Sequence, residues 1–294
     1  MICILDLGTS KISSILVKDE DTKPEVVAFS SIETSGIKTG SIINIGLISE
    51  DISKSINELE NKSGEKIKDI IVSFSGEQIS SINSTGSVII RQKEVTARDV
   101  QSALNMSSTL KVPNDKTLLY VSPNEYTIDG QPGIAEPIGM NGVRLEARTH
   151  LIYCSQNTKE NISKCIEELN DLRIKKFYFN QLGAAESVLT QDQRDLGVCL
   201  IDIGAGTTDL TVYKGGSIRF SKVFPYAGDY ITETIATSLK ITSTQAEEIK
   251  KKYGCAILDS NSEDALRIKG INGNKETEIS RKALSEVIEQ SLTR

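Results

Sequence analysis

A chain of 294 residues with a net charge of −6 has no basic footprint, which excludes nucleic acid as a natural partner. Hydrophobic residues at 38% and charged residues at 25% are ordinary for a globular chain of about two domains. Five cysteines, at 3, 154, 165, 199 and 255, show neither metal-ligand spacing nor an even count; four lie in apolar periodic segments and read as reduced core thiols of a cytosolic protein.

The opening MICILD reaches an acidic residue too early for a signal peptide, and no apolar run approaches the ~20 residues of a membrane span. Residues 2–18 (ICILDLGTSKISSILVK) predict two strands joined by a tight turn, and 25–32 a third strand. Gly36, Gly40 and Gly46 punctuate a loop. Ile48, Ile52, Ile56 and Leu59 then form the apolar face of a helix over 48–59, with Ser49 as its cap. A charged turn at 62–68 leads to a short buried strand at 70–74.

From Glu77 the rhythm changes. Residues 85–91 alternate as a strand, and Thr96 with Asp99 opens a helix whose apolar face is Val100, Ala103, Leu104 and Leu110. Long strands over 118–128 and 143–154 flank a Gly/Pro-rich loop at 129–142, so 77–155 reads as an α+β insertion. His150, the only histidine, has apolar neighbours and no accompanying Ser or Cys nucleophile motif; it reads as a strand residue with a hydrogen-bonded ring. A helix over 157–172, a strand over 176–180 and a helix over 183–189 follow, and the polar stretch 190–196 predicts a domain junction.

Residues 198–214 (VCLIDIGAGTTDLTVYK) repeat 2–18 at a constant offset without gaps: Cys3 matches Cys199, Asp6 matches Asp202, Gly8 matches Gly204 and Lys18 matches Lys214. Bare glycine amides close on an anion such as a phosphate, and Asp202 at a strand end holds a hard cation, usually through water. Taken alone, the stretch reads also as an ordinary hairpin with a polar tip. Two copies imply related halves, with a nucleotide's phosphates between the two turns. Beyond them come a strand over 217–224, a helix to Leu239 with Asp229 as N-cap, and a helix over 244–253 stopped by Gly254. A polar loop, a short strand near 266–269 and a helix over 279–292 complete the chain.

LDLGTSK and LIDIGAGTTDL resemble the two phosphate motifs of the actin/Hsp70/sugar-kinase superfamily. SGEQI, PNEYTIDG, PIGMNGVRLEARTHLIYC, VFPYAGDYIT and AEEIKKKYGCA, in this order over nearly the whole chain, resemble the FtsA family of actin-like bacterial cell-division proteins. That resemblance implies an α/β, actin-like (ribonuclease H-like) two-lobed ATPase fold. Subdomain 1A would comprise 1–76 and 156–195, the 1C insertion 77–155, an incomplete 2A 196–238 and a partial 2B 239–294.

It further implies ATP with Mg2+ in the cleft, and a filament-forming scaffold that links FtsZ to the cytoplasmic membrane at the division site. Asp6, Gly8, Thr9, Ser10 and Lys11 match the first phosphate loop; Asp202, Gly204, Gly206, Thr207 and Thr208 match the second. Asp6 and Asp202 would hold the Mg2+ through water. Gly228 and Asp229 match the glycine turn that opens the next helix, and Glu247 and Lys250 a helix pair on the ribose and adenine side. Glu247 reads also as a capping-box partner of Thr244, and Lys250 as a solvated lysine.

Related proteins carry a glutamate where Asn180 and Gln181 stand here; neither amide accepts a proton, so no catalytic residue is assigned and hydrolysis is expected to be slow. Arg281 matches a position that docks the acidic, apolar FtsZ tail, and Lys282 would add to it; the pair reads equally as a solvated helix face. Other division proteins would meet the 77–155 insertion, and the chain would meet copies of itself. By the same resemblance, the Gly-Gly adenosine loop, the return strands and the membrane-anchoring C-terminal helix lie outside these 294 residues, so ATP binding weaker than micromolar is expected. Two other readings share the fold: a type IV pilus protein of the PilM kind, and a small-molecule kinase, for which no carboxylate base is found.

Overall fold

The computed structural model describes residues 1–18, 24–109, 113–169, 172–257, 265–269 and 276–293. The chain forms two compact units, Met1–Pro225 and Tyr226–Arg294. The division falls inside the segment 196–238.

In the first unit, β1 (Ile2–Leu7), β2 (Lys11–Lys18) and β3 (Glu25–Glu33) form an antiparallel meander, and β4 (Ile37–Lys38) and β5 (Ser41–Ile42) a small ribbon. Helix α1 (Ile45–Ser63) starts one turn earlier than its apolar spacing predicts, because the Asn44 side chain accepts from the Leu47 amide. Ser49 is therefore not the cap; its hydroxyl donates to the Ile45 carbonyl and to Glu168 inside the helix. Gly64, in the left-handed conformation, ends α1. Strand β6 (Asp69–Phe74) lies parallel to β1.

The insertion comprises β7 (Ser80–Ile89), α2 (Ala97–Thr109), β8 (Lys116–Ile128), β9 (Gln131–Ile134) and β10 (Arg144–Ser155), in the sheet order β7-β10-β8-β9. Thr96 and Asp99 bond reciprocally at the start of α2, as predicted; Leu110 lies outside the described residues. Two strand segments escaped the pattern. One is 80–84, a polar serine-rich run that extends the predicted 85–91 strand backwards, and the other is β9, within the Gly/Pro-rich loop. This subdomain has its own core of Ile90, Val95, Ala103, Tyr126, Leu145 and Ala147, among others.

Helix α3 (Gln156–Glu167) is shorter than the predicted 157–172; residues 170 and 171 lie outside the described ones. Strand β11 (Arg173–Phe179) completes the five-stranded sheet β11-β6-β1-β2-β3, and α4 (Asn180–Val188) follows without a break. The polar stretch 190–196 holds a short helix, α5 (Gln191–Leu196), whose Thr190 and Gln193 form a capping box. The second hairpin, β12 (Val198–Ile203) and β13 (Thr208–Lys214), joins β14 (Ser217–Phe224) in a three-stranded antiparallel sheet. Tyr213, Ile218 and Val223 from this sheet share one core with Leu5, Ile52, Val72 and Phe179 of the larger one.

His150 on β10 is buried, with Nδ1 2.7 Å from Asn83 Oδ1 and Nε2 2.8 Å from Ser221 Oγ. Burial lowers its pKa to about 4, so the ring stays neutral and structural, as its apolar setting predicts. Cys3, Cys154 and Cys165 are buried thiols, whereas Cys199 is exposed and so is not the core residue its apolar run suggests. Cys255 is exposed as well.

The second unit holds α6 (Gly228–Leu239), α7 (Ser243–Tyr253), β15 (Ala265–Lys269), β16 (Glu276–Ser280) and α8 (Arg281–Leu292), packed about Ile235, Ala246, Leu284 and Ile288. Asp229 is not the N-cap of α6: Ala227 occupies that position, and Asp229 lies in the first turn, where its charge suits the helix dipole. Thr242, with Gln245, caps α7, so Thr244 is not a cap and Glu247 is not its partner. Gly254 stops α7 with extended rather than left-handed backbone.

Candidate functional site

The sequence repeat is a structural repeat. Asp6 pairs with Ser13 and Asp202 with Asp209 in the same hairpin register, and each strand ends one residue later. Each turn closes on one backbone bond, from Gly8 N to Lys11 O at 3.1 Å and from Gly204 N to Thr207 O at 2.9 Å. Neither Gly8, Gly204 nor Gly206 has positive φ, so these positions need glycine for space rather than for backbone freedom. A Cβ at Gly8 would stand 2.8 Å from Lys11 O, and one at Gly206 2.5 Å from Thr9 Oγ1 and 3.0 Å from Thr39 Cα. The two turns thus meet: Gly206 of the second lies against Thr9 of the first.

Three carboxylates gather beneath this contact. Burial raises the Asp6 pKa; a hydrogen bond from Ser73 opposes that, and the charge of Asp202 adds to it. Asp209, only 2% exposed, is raised to about 6, first by burial and further by Asp202 and Asp6, against hydrogen bonds from Ser75 and Thr207. Asp6 Oδ1 is buried with no hydrogen-bond partner. Like charges in a half-buried site call for a cation. Among the described residues, no group of three or more His, Cys, Asp or Glu stands close enough to enclose a metal by itself, so any ion here would complete its shell with other oxygens.

Gln181, fully buried at the start of α4, donates from Nε2 to the Asp209 carbonyl at 3.1 Å, while its Oε1 and Asn180 Oδ1 are buried without partners. The structure therefore brings together Asp6, Gly8, Thr9, Asp202, Gly204, Gly206 and Thr207, with Thr208 pairing Ile203 at the base of the second turn. Ser10 and Lys11 are exposed at the first turn. Sequence reasoning missed Asp209. The signal was available: alternation puts residues 209, 211 and 213 on the buried face of β13, and a carboxylate there needs a reason. A cavity of about 500 Å³ elsewhere in this unit, beside Arg194 and Tyr213, is lined by none of the predicted site residues. Carboxylate chemistry, not cavity shape, marks the site.

In the second unit, Lys250 Nζ donates to the Gly228 carbonyl at 2.9 Å and to Thr232 Oγ1 at 2.8 Å, and pairs with Glu247 at 2.6 Å. Burial pushes the Glu247 carboxyl up, but Lys250, Thr232 and Lys251 outweigh it and bring it down to about 2. Lys250 is accordingly no solvated surface lysine; its side chain is 19% exposed. Arg281 and Lys282 open α8, whose first turn has no acidic residue.

Two family models match the chain: "SHS2 domain inserted in FTSA" over residues 76–153 and "Cell division protein FtsA" over residues 199–292. The chain is 38% identical over 291 residues to the cell division protein FtsA of Pseudomonas aeruginosa and 34% identical over 291 residues to that of Escherichia coli K12. These alignments cover 98% of this chain and 70% and 69% of the two relatives. Among solved structures, a PilM-PilN type IV pilus biogenesis complex aligns with a TM-score of 0.63 at 17% identity, over 86% of this chain and 70% of that one. MreB 5 of Spiroplasma citri bound to AMPPNP aligns at 0.53 and 14% identity, over 99% and 75%. At such identities these structures establish the fold alone, an actin-like ATPase fold, while the sequence relatives establish more. The chain belongs to the FtsA family of cell-division proteins.

Proposed function

We propose that the chain is an ATP-binding, actin-like scaffold of bacterial cell division, acting at the cytoplasmic face of the membrane. It links FtsZ filaments to that membrane and recruits later division proteins. The observation that carries the nucleotide part is the meeting of the two repeated turns over Asp6, Asp202 and Asp209. In this reading 1–76 with 156–195 is subdomain 1A, 77–155 subdomain 1C, 196–238 subdomain 2A and 239–294 subdomain 2B. The pilus likeness is one of fold at 17% identity, against 38% to an FtsA relative, and supports no separate function.

The residues present suit a magnesium–phosphate group. Unpartnered Asp6 Oδ1 and the like-charged neighbours suit Mg2+ held through water, and the other amides and hydroxyls of the two turns, over 9–10 and 205–207, suit phosphate oxygens. Bound there, Mg2+ would neutralise phosphate charge; the chain's own part is to hold and orient it. Gly228, Asp229, Glu247 and Lys250 would meet the ribose and adenine side, where the Lys250 ammonium, already tied to Gly228 and Glu247, is a preordered donor. Because Asn180 and Gln181 cannot take a proton, turnover is slow, below about one per second.

Calorimetric titration with ATP tests this directly. Saturable binding between micromolar and millimolar is expected with Mg2+ present, weakened at least tenfold by Asp202→Asn. No heat at millimolar Mg-ATP would remove the nucleotide from the reading.

The FtsZ part rests on α8. Two cations at a helix N-terminus face the positive end of the dipole, an arrangement that costs stability and concentrates positive potential for an acidic peptide. Arg281→Glu should weaken binding of an FtsZ C-terminal tail peptide roughly tenfold at low salt, and by less at high salt. Fluorescence anisotropy giving one affinity for both proteins would release Arg281 from the role.

A further inference from the structure

The ribbon of β4 and β5 stands where the sequence shows only a glycine-punctuated loop. Its strands pair Ile37 with Ile42 and Lys38 with Ser41, leaving a two-residue turn at Thr39 and Gly40 with φ of +47° and +75°. Such a turn has positive φ at both central residues, which favours Asn-Gly and disfavours a β-branched residue at the first. Gly40 is there for space: a Cβ would lie 2.2 Å from Ser75 O and 2.4 Å from Gly76 Cα. Thr39 has no such excuse.

The tip is held in place from several sides. The Gly40 amide donates to Thr9 Oγ1 at 3.2 Å, Gln78 Nε2 donates to the Gly40 carbonyl at 3.1 Å, and Ser41 Oγ donates to Gln78 Oε1 at 3.1 Å. On the other side, Thr39 Cα stands 3.0 Å from where a Gly206 Cβ would be. The strained residue therefore sits where the first turn, through Thr9, and the second, through Gly206, come together. Backbone strain persists only where the surroundings over-determine it, and it gathers at ligand sites.

We infer that Thr39 is a ligand-contacting residue of this site, its hydroxyl holding the phosphate chain of the nucleotide from a third side, between Thr9 and Gly206. The inference rests on the phosphate reading above and adds a residue to it. A merely structural Thr39 predicts the opposite behaviour in one informative variant, Thr39→Asn. Asparagine fits the turn better, so relief of strain should raise the melting temperature by about 2 °C. The same variant should weaken Mg-ATP binding at least tenfold, whereas Thr39→Ser, which keeps the hydroxyl, should bind within about threefold of the wild type.

Melting curves and calorimetric Mg-ATP titrations on the whole chain read both quantities. If Thr39→Asn melts higher and binds Mg-ATP as the wild type does, Thr39 is a turn residue only and the inference falls. A Thr39→Asn protein that melts lower contradicts the strain argument and overturns it too, as does a Thr39→Ser protein that binds as poorly as Thr39→Asn. Failure of the wild type itself to bind Mg-ATP would overturn the phosphate reading together with this addition to it.

Discussion

Adding one methyl group at Gly86 is expected to remove more than half of the inserted subdomain's stability. Gly86 lies in β7, and a Cβ there would stand 2.0 Å from the Ala103 carbonyl oxygen and 2.4 Å from the Ser107 amide of α2. Both are backbone atoms, so no side-chain rotation relieves the contact. Nor can α2 retreat cheaply: Ser84 Oγ donates to the Ser107 carbonyl at 2.7 Å, and Thr149 Oγ1 bonds Ser107 Oγ at 3.0 Å, pinning that helix to the sheet. Overpacking a core costs about 3 kcal/mol at the severe end. A subdomain of this size holds roughly 5 kcal/mol in all, around a small core. Gly86→Ala should therefore expose 77–155 to limited proteolysis near room temperature, and Gly86→Val more so. Gly183→Ala is the control, since a Cβ there meets nothing within 4 Å and α4 gains helix propensity. Equal protease resistance of Gly86→Ala and wild type would mean that β7 and α2 are not packed as described.

Most of the architecture was legible because its signals were local or repeated. The gapless match of 2–18 with 198–214 specifies two hairpins and their shared register. Where reading failed, tertiary partners had replaced the local signal. Polar Ser49, Asp51 and Ser55 are buried on α1, so the apolar spacing understated that helix and hid Asn44 as its cap. Strand β7 begins with Ser80, Ser81 and Asn83, which no strand propensity favours; pairing with Tyr153, Ile152 and His150 of β10 supplies what the residues lack. Thr39 and Asp209 were missed for another reason. Each breaks a local rule, one by left-handed backbone at a β-branched residue and the other by a carboxylate on a buried strand face, and such breaches gather at sites.

Removing the charge of Asp209 should make the protein more stable while impairing its proposed site. Burial and the charges of Asp202 and Asp6 raise its pKa from 3.8 to about 6, so the folded state binds the proton more tightly than the unfolded chain does. The sign follows from linkage: stability falls as pH rises through that window, and above it the ionised carboxylate costs about 3 kcal/mol. Asparagine escapes this penalty and can still accept the Ser75 hydroxyl, so Asp209→Asn should gain about 2 kcal/mol near pH 7.5, some 5 °C in melting temperature. The advantage should shrink as pH drops below about 6 and vanish near pH 4, where the wild-type carboxyl is itself protonated. Magnesium should narrow it as well, because a cation among Asp6, Asp202 and Asp209 favours the ionised form. Melting curves over that pH range, with and without Mg-ATP, carry the test. A gap of constant size from about pH 4 to pH 7.5 would show that Asp209 is not held against its charge. The protein then would have no stored electrostatic cost for a bound cation to relieve.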